Sequence, residues 1–253
     1  MNKTLKLTAL LLATSLMQPA FATTLAQAIS SSDRAAQDVA RDEKRKPDEV
    51  IKLLDIKPGD QVIDLMSGTG YYTDILSRYV GDNGKVVAHN SPYVVNRFAK
   101  AFLGKDAVWQ KKLQSSQWQK NVTPMIAELD NMQYPVPLDG ALMVLFYHDT
   151  IWQGIDRKTM NRHLYNALKP GASFVIVDHS AKAGTQANDV KTLHRIDKQF
   201  VIDEVSQAGF VLDTDSNILA NPKDSRDYNI FRDSRTNRDS TDRFVLKFVK
   251  PVE

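Results

Sequence analysis

The chain of 253 residues contains no cysteine. That excludes a disulfide framework, a thiolate metal centre and a cysteine nucleophile, and it excludes a lipid anchor on an N-terminal cysteine. A fold of this length can rest on its core alone, even in an oxidising compartment. Charge of either sign is also in short surplus: 33 basic and 30 acidic residues leave a net +3. No basic face for nucleic acid follows from that balance. Internal repeats are absent. Apolar runs are short, and the stretch from Leu7 to Leu16 falls below the roughly 20 residues a membrane-spanning helix needs. Its setting is that of an export signal: Lys3 and Lys6 precede it, and Ala20-Phe21-Ala22 supplies a small-x-small cleavage site. The expectation is a signal peptide over 1–22, cleaved after Ala22. The product would be periplasmic or secreted, with no stable membrane anchor.

Periodicity then organises the rest. A polar helix is expected over Ala26 to Lys46, with Ser32 as N-cap, and Pro47 opens a second helix carrying Val50, Ile51, Leu53 and Leu54 inward. These helices form a segment, 23–57, that packs on a core domain, 58–253. Within that domain apolar runs alternate with helical spacing. Strands are expected at Gln61 to Met66, Lys85 to Ala88, Thr123 to Leu129, Asp139 to Tyr147, Ala172 to Val177, Phe210 to Thr214 and Arg243 to Val249. Helices are expected at Tyr71 to Val80, Pro92 to Leu103, Asp156 to Leu168 and Asp197 to Ala208. The lysine-rich stretch from Gly104 to Asn121 fits neither period. This alternation predicts an α/β fold with a doubly wound, mostly parallel seven-stranded sheet. Its last two strands, with no helix between them, should pair as an antiparallel hairpin.

The most informative segment is Gln61-Val-Ile-Asp-Leu-Met-Ser-Gly-Thr-Gly-Tyr-Tyr-Thr73. A buried strand ends near an acid, turns through Gly68 and Gly70, and enters a helix. Open α/β sheets bind their ligands at such strand ends, and glycine lets a ligand approach the backbone.

Together with Leu168-Lys-Pro-Gly-Ala172 before a strand and Ala208-Gly-Phe210 before the hairpin, this segment resembles the class I S-adenosylmethionine-dependent methyltransferases. Further motifs are similar to an exported predicted-methyltransferase group: Arg41-Asp42 with Arg45-Lys46-Pro47, Gly70-Tyr-Tyr-Thr73, Tyr147-His148-Asp149, His194-Arg-Ile-Asp197 and Thr241-Asp-Arg-Phe-Val-Leu-Lys-Phe248. The resemblance implies a Rossmann-like methyltransferase fold and S-adenosyl-L-methionine as cofactor. Asp64, Gly68 and Gly70 would border the cofactor's amino-acid end, flanked by Met66, Ser67 and Tyr72. Asn90 and Ser91, after the second strand, would meet the ribose, and Glu128 and Asp130 would lie near the adenine. Two positions depart from the family pattern. Met66 replaces the customary first glycine, and Asn90 stands where an acid usually binds both ribose hydroxyls.

For chemistry, Tyr147-His148-Asp149 is expected at the carboxyl end of the central strand, beside a small-molecule methyl acceptor. His148 has the ordinary pKa of a general base; its structural alternative is a strand-end cap. The aromatic set Tyr71, Tyr72, Phe146 and Tyr147 would line the pocket. Asp149, Asp178 and a nearby amide would resemble the metal-dependent catechol methyltransferases, but nothing in their spacing demands an ion, so no metal ligand is assigned. Arg195 is expected to form a structural ion pair, as with Asp178, the alternative being a clamp on an anionic acceptor or phosphate. Asp197 is expected to cap a helix, and Thr241 to Arg243 to anchor the hairpin. The two functional readings are a small-molecule methyltransferase and an exported, non-catalytic ligand-binding protein that keeps its fold.

Overall fold

The computed structural model describes residues 23–135, 137–232 and 238–252. The expected export signal therefore lies outside the described residues, as does part of the connection between the last two strands. Among the described residues no helix is long and apolar enough to cross a membrane.

Seven strands form one sheet: β1 (Gln61–Leu65), β2 (Lys85–Asn90), β3 (Val122–Ile126), β4 (Leu138–Val144), β5 (Leu168–His179), β6 (Val211–Ser216) and β7 (Arg243–Val249). Their order is β3-β2-β1-β4-β5-β7-β6. The first five run parallel, and β7 is antiparallel to both of its neighbours, β5 and β6. The chain thus reverses its direction of travel across the sheet between β1 and β4. Strand order switches there, and the crevice at that point is the natural ligand position.

Helices cover both faces. The N-terminal set is α1 (Leu25–Ile29), α2 (Ala36–Val39), α3 (Asp42–Arg45) and α4 (Pro47–Lys52). The single helix expected over Ala26 to Lys46 is thus three short ones. Thr24 rather than Ser32 provides a side-chain cap, in a capping box with Gln27. Pro47 does open α4. After β1 comes α5 (Tyr71–Val80); after β2 come α6 (Pro92–Arg97) and α7 (Ala99–Phe102), a break in the expected longer helix. The stretch without a clear period holds α8 (Val108–Leu113) and α9 (Ser116–Asn121). Their Trp109 and Trp118 pack edge to face, with centroids 5.4 Å apart, and both are buried. The remaining helices are α10 (Tyr147–Trp152), α11 (Arg157–Ala167), α12 (Val190–Leu193) and α13 (Lys198–Gln207).

Two apolar clusters sandwich the sheet. One joins Ile63, Leu65, Met143, Phe174 and Phe248 to the helices after β2, β4 and β5. The other joins Val62, Leu142 and Val175 to α4, α5 and the N-terminal Leu25 and Ala28. Adjacent strand residues alternate between the clusters, as the two-residue period of a strand requires. The N-terminal helices are tied to the far end of the chain by ion pairs. Arg41 Nε and Arg45 Nε approach Asp239 at 2.7 and 2.8 Å, while Arg34 reaches Asp42 at 2.6 Å.

Candidate functional site

The turn after β1 keeps the backbone of a glycine-rich loop. Met66, Gly68 and Gly70 have φ of 55°, 58° and 83°. For methionine that conformation costs roughly 1–2 kcal/mol, so the loop path is retained even where its glycine is not. Leu145, just past the neighbouring β4, also has positive φ at 58°. Two strained non-glycine residues therefore flank the switch point, the kind of place where strain accompanies function.

Most of the expected cofactor residues have a definite partner. Asp64 is 2% exposed and accepts the Thr73 hydroxyl at 2.6 Å, so it holds the first turn of α5. Burial pushes its carboxyl up to about 7, against the hydrogen bonds from Thr73. Asn90 is fully buried. Its Oδ1 accepts the Gly68 N–H at 2.9 Å, and its Nδ2 donates to Ser67 Oγ at 3.0 Å and to the Gly68 carbonyl at 3.1 Å. The amide expected to meet a ribose is thus fastened to the loop. Ser91 caps α6 through the Val94 N–H. Glu128 is exposed, and Asp130 accepts the Asp156 N–H at 2.9 Å. Tyr72 turns away from the loop: its hydroxyl donates to the Arg45 carbonyl at 3.3 Å, and its ring is buried beside the N-terminal helices. Met66 is buried in the same apolar cluster as Val94, Leu129 and Phe146. It is 7% exposed, and its side chain packs into that cluster.

His89, which with Asn90 stands where the family's ribose-binding acid is expected, faces the loop instead. Its Nδ1 accepts the Met66 N–H at 3.4 Å and its Nε2 donates to the Ala127 carbonyl at 2.9 Å. Burial pushes the imidazole down to about 4, so it is neutral. Together His89 and Asn90 join the tip of β1, the end of β2 and the end of β3. The loop amides of residues 66, 67, 68 and 70 are all satisfied internally, Ser67 by the His89 carbonyl and Gly70 by the Ser67 carbonyl. Ser67, Gly68 and Thr69 remain partly exposed.

The Tyr147-His148-Asp149 motif opens α10 rather than ending a strand, because β4 stops at Val144 and Leu145 turns the chain. Tyr147 is fully buried; its hydroxyl donates to Glu204 and accepts from Asn161. With Tyr71, Tyr72 and Phe146 also buried, the aromatic set belongs to the core and not to an open pocket wall. His148 is 1% exposed. Asp178 Oδ1 lies 2.7 Å from its Nδ1, and Asp178 Oδ2 accepts its backbone N–H at 2.8 Å. Burial opposes its charge, but the carboxylates of Asp178 and Asp149 outweigh that and push it up to about 10. A proton-accepting role at neutral pH does not fit an imidazole in that state. Asp149 is pulled well below the usual carboxylate range: burial works against this, and His148, His194 and Trp152 overcome it.

Asp149 Oδ1 also accepts Trp152 Nε1–H at 2.6 Å and lies 3.3 Å from His194 Nδ1. His194, in the left-handed region at φ 54°, stacks edge-on against Phe231 with centroids 4.6 Å apart. The structure therefore brings His194, from the expected His-Arg-Ile-Asp motif, to Asp149 and His148. Arg195 does not pair with Asp178. It is fully buried and forked onto Asp224 at 2.9 and 3.1 Å, which binds the 221–232 excursion to the sheet. Asp197 caps α13 as expected, through the Gln199 N–H. Asp242 accepts the Asn221 N–H at 2.7 Å, and Thr241 lies 2.7 Å from His179 Nδ1, so this segment does anchor the last strand.

Comparison with known proteins agrees with this architecture. A family model for protein-L-isoaspartate(D-aspartate) O-methyltransferases matches residues 45–117, which span β1, the loop and β2. Among solved structures, an S-adenosylmethionine-dependent methyltransferase from Aquifex aeolicus is 20% identical, with a TM-score of 0.57 over 83% of this chain and 93% of its own. The glycopeptide N-methyltransferase MtfA, complexed with S-adenosyl-L-methionine, is 13% identical, with a TM-score of 0.53 over 81% of this chain and 87% of its own. The [4+2]-cyclase SpnF superposes with a TM-score of 0.60 at 14% identity, over 87% of this chain and 85% of its own. No curated protein matches the chain. Strand order, the antiparallel final strands and the loop after β1 together give this protein the fold of the class I S-adenosylmethionine-dependent methyltransferases.

Proposed function

We propose that the protein is an exported methyltransferase that takes S-adenosyl-L-methionine at the β1–α5 turn and delivers its methyl group to a small-molecule acceptor. The observation that carries this reading is the loop itself. Its backbone keeps three positive φ angles at the switch point, even where methionine must bear the strain, and its tip, Ser67 to Thr69, is partly open.

In this reading the exposed tip and the first turn of α5 receive the amino-acid end of the cofactor. Asp64 supplies negative charge beneath its ammonium group. The transferred carbon would face the rim formed by Asp149, His194, Trp152 and Tyr93. Trp152 and Tyr93 meet edge to face at 5.4 Å, with Tyr93 exposed. Methyl transfer is an in-line displacement, so the rim's task is to hold the acceptor at the near-attack distance.

The second reading, an exported protein that binds a small ligand without chemistry, is favoured by Asn90 and Met66. The amide that would meet a ribose is occupied by the loop, and the thioether fills space that a glycine would leave open. The likeness to a cyclase also shows that the fold does not dictate the reaction.

Calorimetric titration of the purified protein with S-adenosylmethionine separates the readings. Saturable binding that weakens in Asp64→Asn supports the first; no heat at millimolar cofactor ends it. Binding should also tighten between pH 6 and pH 8, because Asp64 must ionise to hold an ammonium.

A further inference from the structure

His148, Asp149 and His194 present one donor atom each to a common point, all within 4.8 Å of one another. The pairs measured against Asp149 Oδ1 are 3.0 Å for His148 Nε2 and 3.3 Å for His194 Nδ1. A first-row metal with bonds of roughly 2.0–2.1 Å to nitrogen and oxygen separates adjacent donors by about 2.8–3.4 Å, from octahedral to tetrahedral geometry. Both separations from Asp149 Oδ1 fall inside that interval, and the two ring nitrogens lie within 4.8 Å of each other.

The state of His148 points the same way. Its Nδ1 faces Asp178 Oδ1 at 2.7 Å, and Asp178 can only accept, because its oxygens also receive the backbone N–H groups of His148 and His179. The Nδ1 proton is thereby fixed, and Nε2 is left to face Asp149. It does so at hydrogen-bond distance but without the alignment of a hydrogen bond, so it remains a buried ring nitrogen with no partner, on a side chain only 1% exposed. An imidazole oriented through one nitrogen by a buried carboxylate, with the other aimed at a second carboxylate and a second imidazole, is how histidine is held as a metal ligand. Trp152 Nε1–H orients Asp149 in the same manner. Two carboxylates against one imidazolium still leave the point net negative, and a bound cation would displace the Nε2 proton they hold. The side chains of Asp149 and His194 are 15% and 22% exposed, which leaves a fourth position open to water or a ligand.

We propose that His148 Nε2, Asp149 Oδ1 and His194 Nδ1 form a binding site for a divalent first-row transition metal, zinc being the representative ion. Two imidazoles and one carboxylate suit zinc, iron, cobalt or nickel better than magnesium or calcium. With three protein ligands and an exposed fourth position, the site has the open form that metals use to bind a further molecule rather than the closed form of a structural site. The site shares Asp149 and His194 with the proposed acceptor rim, but its ligands are not those of the glycine loop, so it does not depend on the methyl-donor reading.

The test uses the purified protein after treatment with chelator, titrated with zinc by calorimetry and with cobalt by visible absorption. One zinc per chain is expected, with a cobalt spectrum showing ligand-field bands of a nitrogen and oxygen site. His194→Asn, which tolerates the left-handed backbone, and Asp149→Asn should each weaken zinc by at least about 100-fold, and Asp178→Asn by roughly 10–100-fold. His163→Asn, on α11, should leave binding unchanged. Thermal unfolding of each variant establishes that it is folded. No zinc binding by the unaltered protein, or binding that survives both His194→Asn and Asp149→Asn, would overturn the site. S-adenosylmethionine titrated with and without zinc reports on the methyl-donor reading separately, so either can fail alone.

Discussion

Replacing Asp64 with asparagine isolates the energetic cost of a buried acid at the end of β1. The carboxyl is 2% exposed, and burial pushes it from 3.8 up to about 7. Between those values the folded protein binds a proton that the unfolded chain releases, so stability falls as pH rises from about 4 to about 7 and then levels off. At pH 5 the penalty is about 1.5 kcal/mol, and at pH 8 it approaches about 4 kcal/mol, from 1.36 kcal/mol per pH unit. The substituted amide can still accept from Thr73, and whatever its extra N–H groups cost is independent of pH. The stability gap between Asp64→Asn and the unaltered protein should therefore shift in the variant's favour by about 3 kcal/mol between pH 5 and pH 8. With a urea slope of about 2–3 kcal/mol per molar, that is a relative midpoint shift of about 1 M. Urea denaturation followed by circular dichroism at both pH values measures it. Parallel pH profiles for the two proteins would refute the assignment of a protonated Asp64.

Arg195→Met should destabilise by about 3–5 kcal/mol by leaving Asp224 charged and buried; adding Asp224→Asn should recover part of that loss in a double-mutant cycle. Gly70→Ala places a methyl group against the Trp118 ring at φ 83°, so a loss of more than about 2 kcal/mol in chemical denaturation is expected. Asp239→Ala releases Arg41 and Arg45 together. Trypsin should then cleave within 41–46 faster, and an unchanged digestion rate would show that these pairs do not hold the N-terminal helices. Met66→Gly removes both the backbone strain and the packed thioether, and should tighten S-adenosylmethionine binding in calorimetry while lowering thermal stability; weaker binding would contradict the view of Met66 as an obstruction.

The sheet is legible because its central strands carry apolar runs, Ala141 to Tyr147 and Phe174 to Val177, and because the last strand, Arg243 to Val249, is apolar but for Arg243 and Lys247. The stretch from 104 to 121 is not. Its helices are short, and its two tryptophans are positioned by contacts distant in sequence, such as the bond from Trp118 Nε1 to Asp74 at 2.9 Å. At the site, the loop after β1 is readable from spacing, whereas its fastening to β2 is not. An asparagine at a strand end is equally suited to a ribose and to a neighbouring loop, and only the register that sets Asp64 beside Ala88 decides. Local pattern pairs Arg195 with the wrong carboxylate for a similar reason: Asp178 is consumed by His148, and Asp224 arrives from an excursion whose path no nearby residue encodes. Tyr147 and His148 read as a strand end because the apolar run continues past the residue, Leu145, where the backbone turns.

The fastening of the turn by His89 and Asn90 bears on selectivity. A turn already braced by its own strands loses little freedom when a guest arrives, yet it has few spare amides to offer a carboxylate tail. Recognition of that tail would then fall chiefly to the buried Asp64 carboxylate beneath the turn, through the ammonium rather than the carboxylate end.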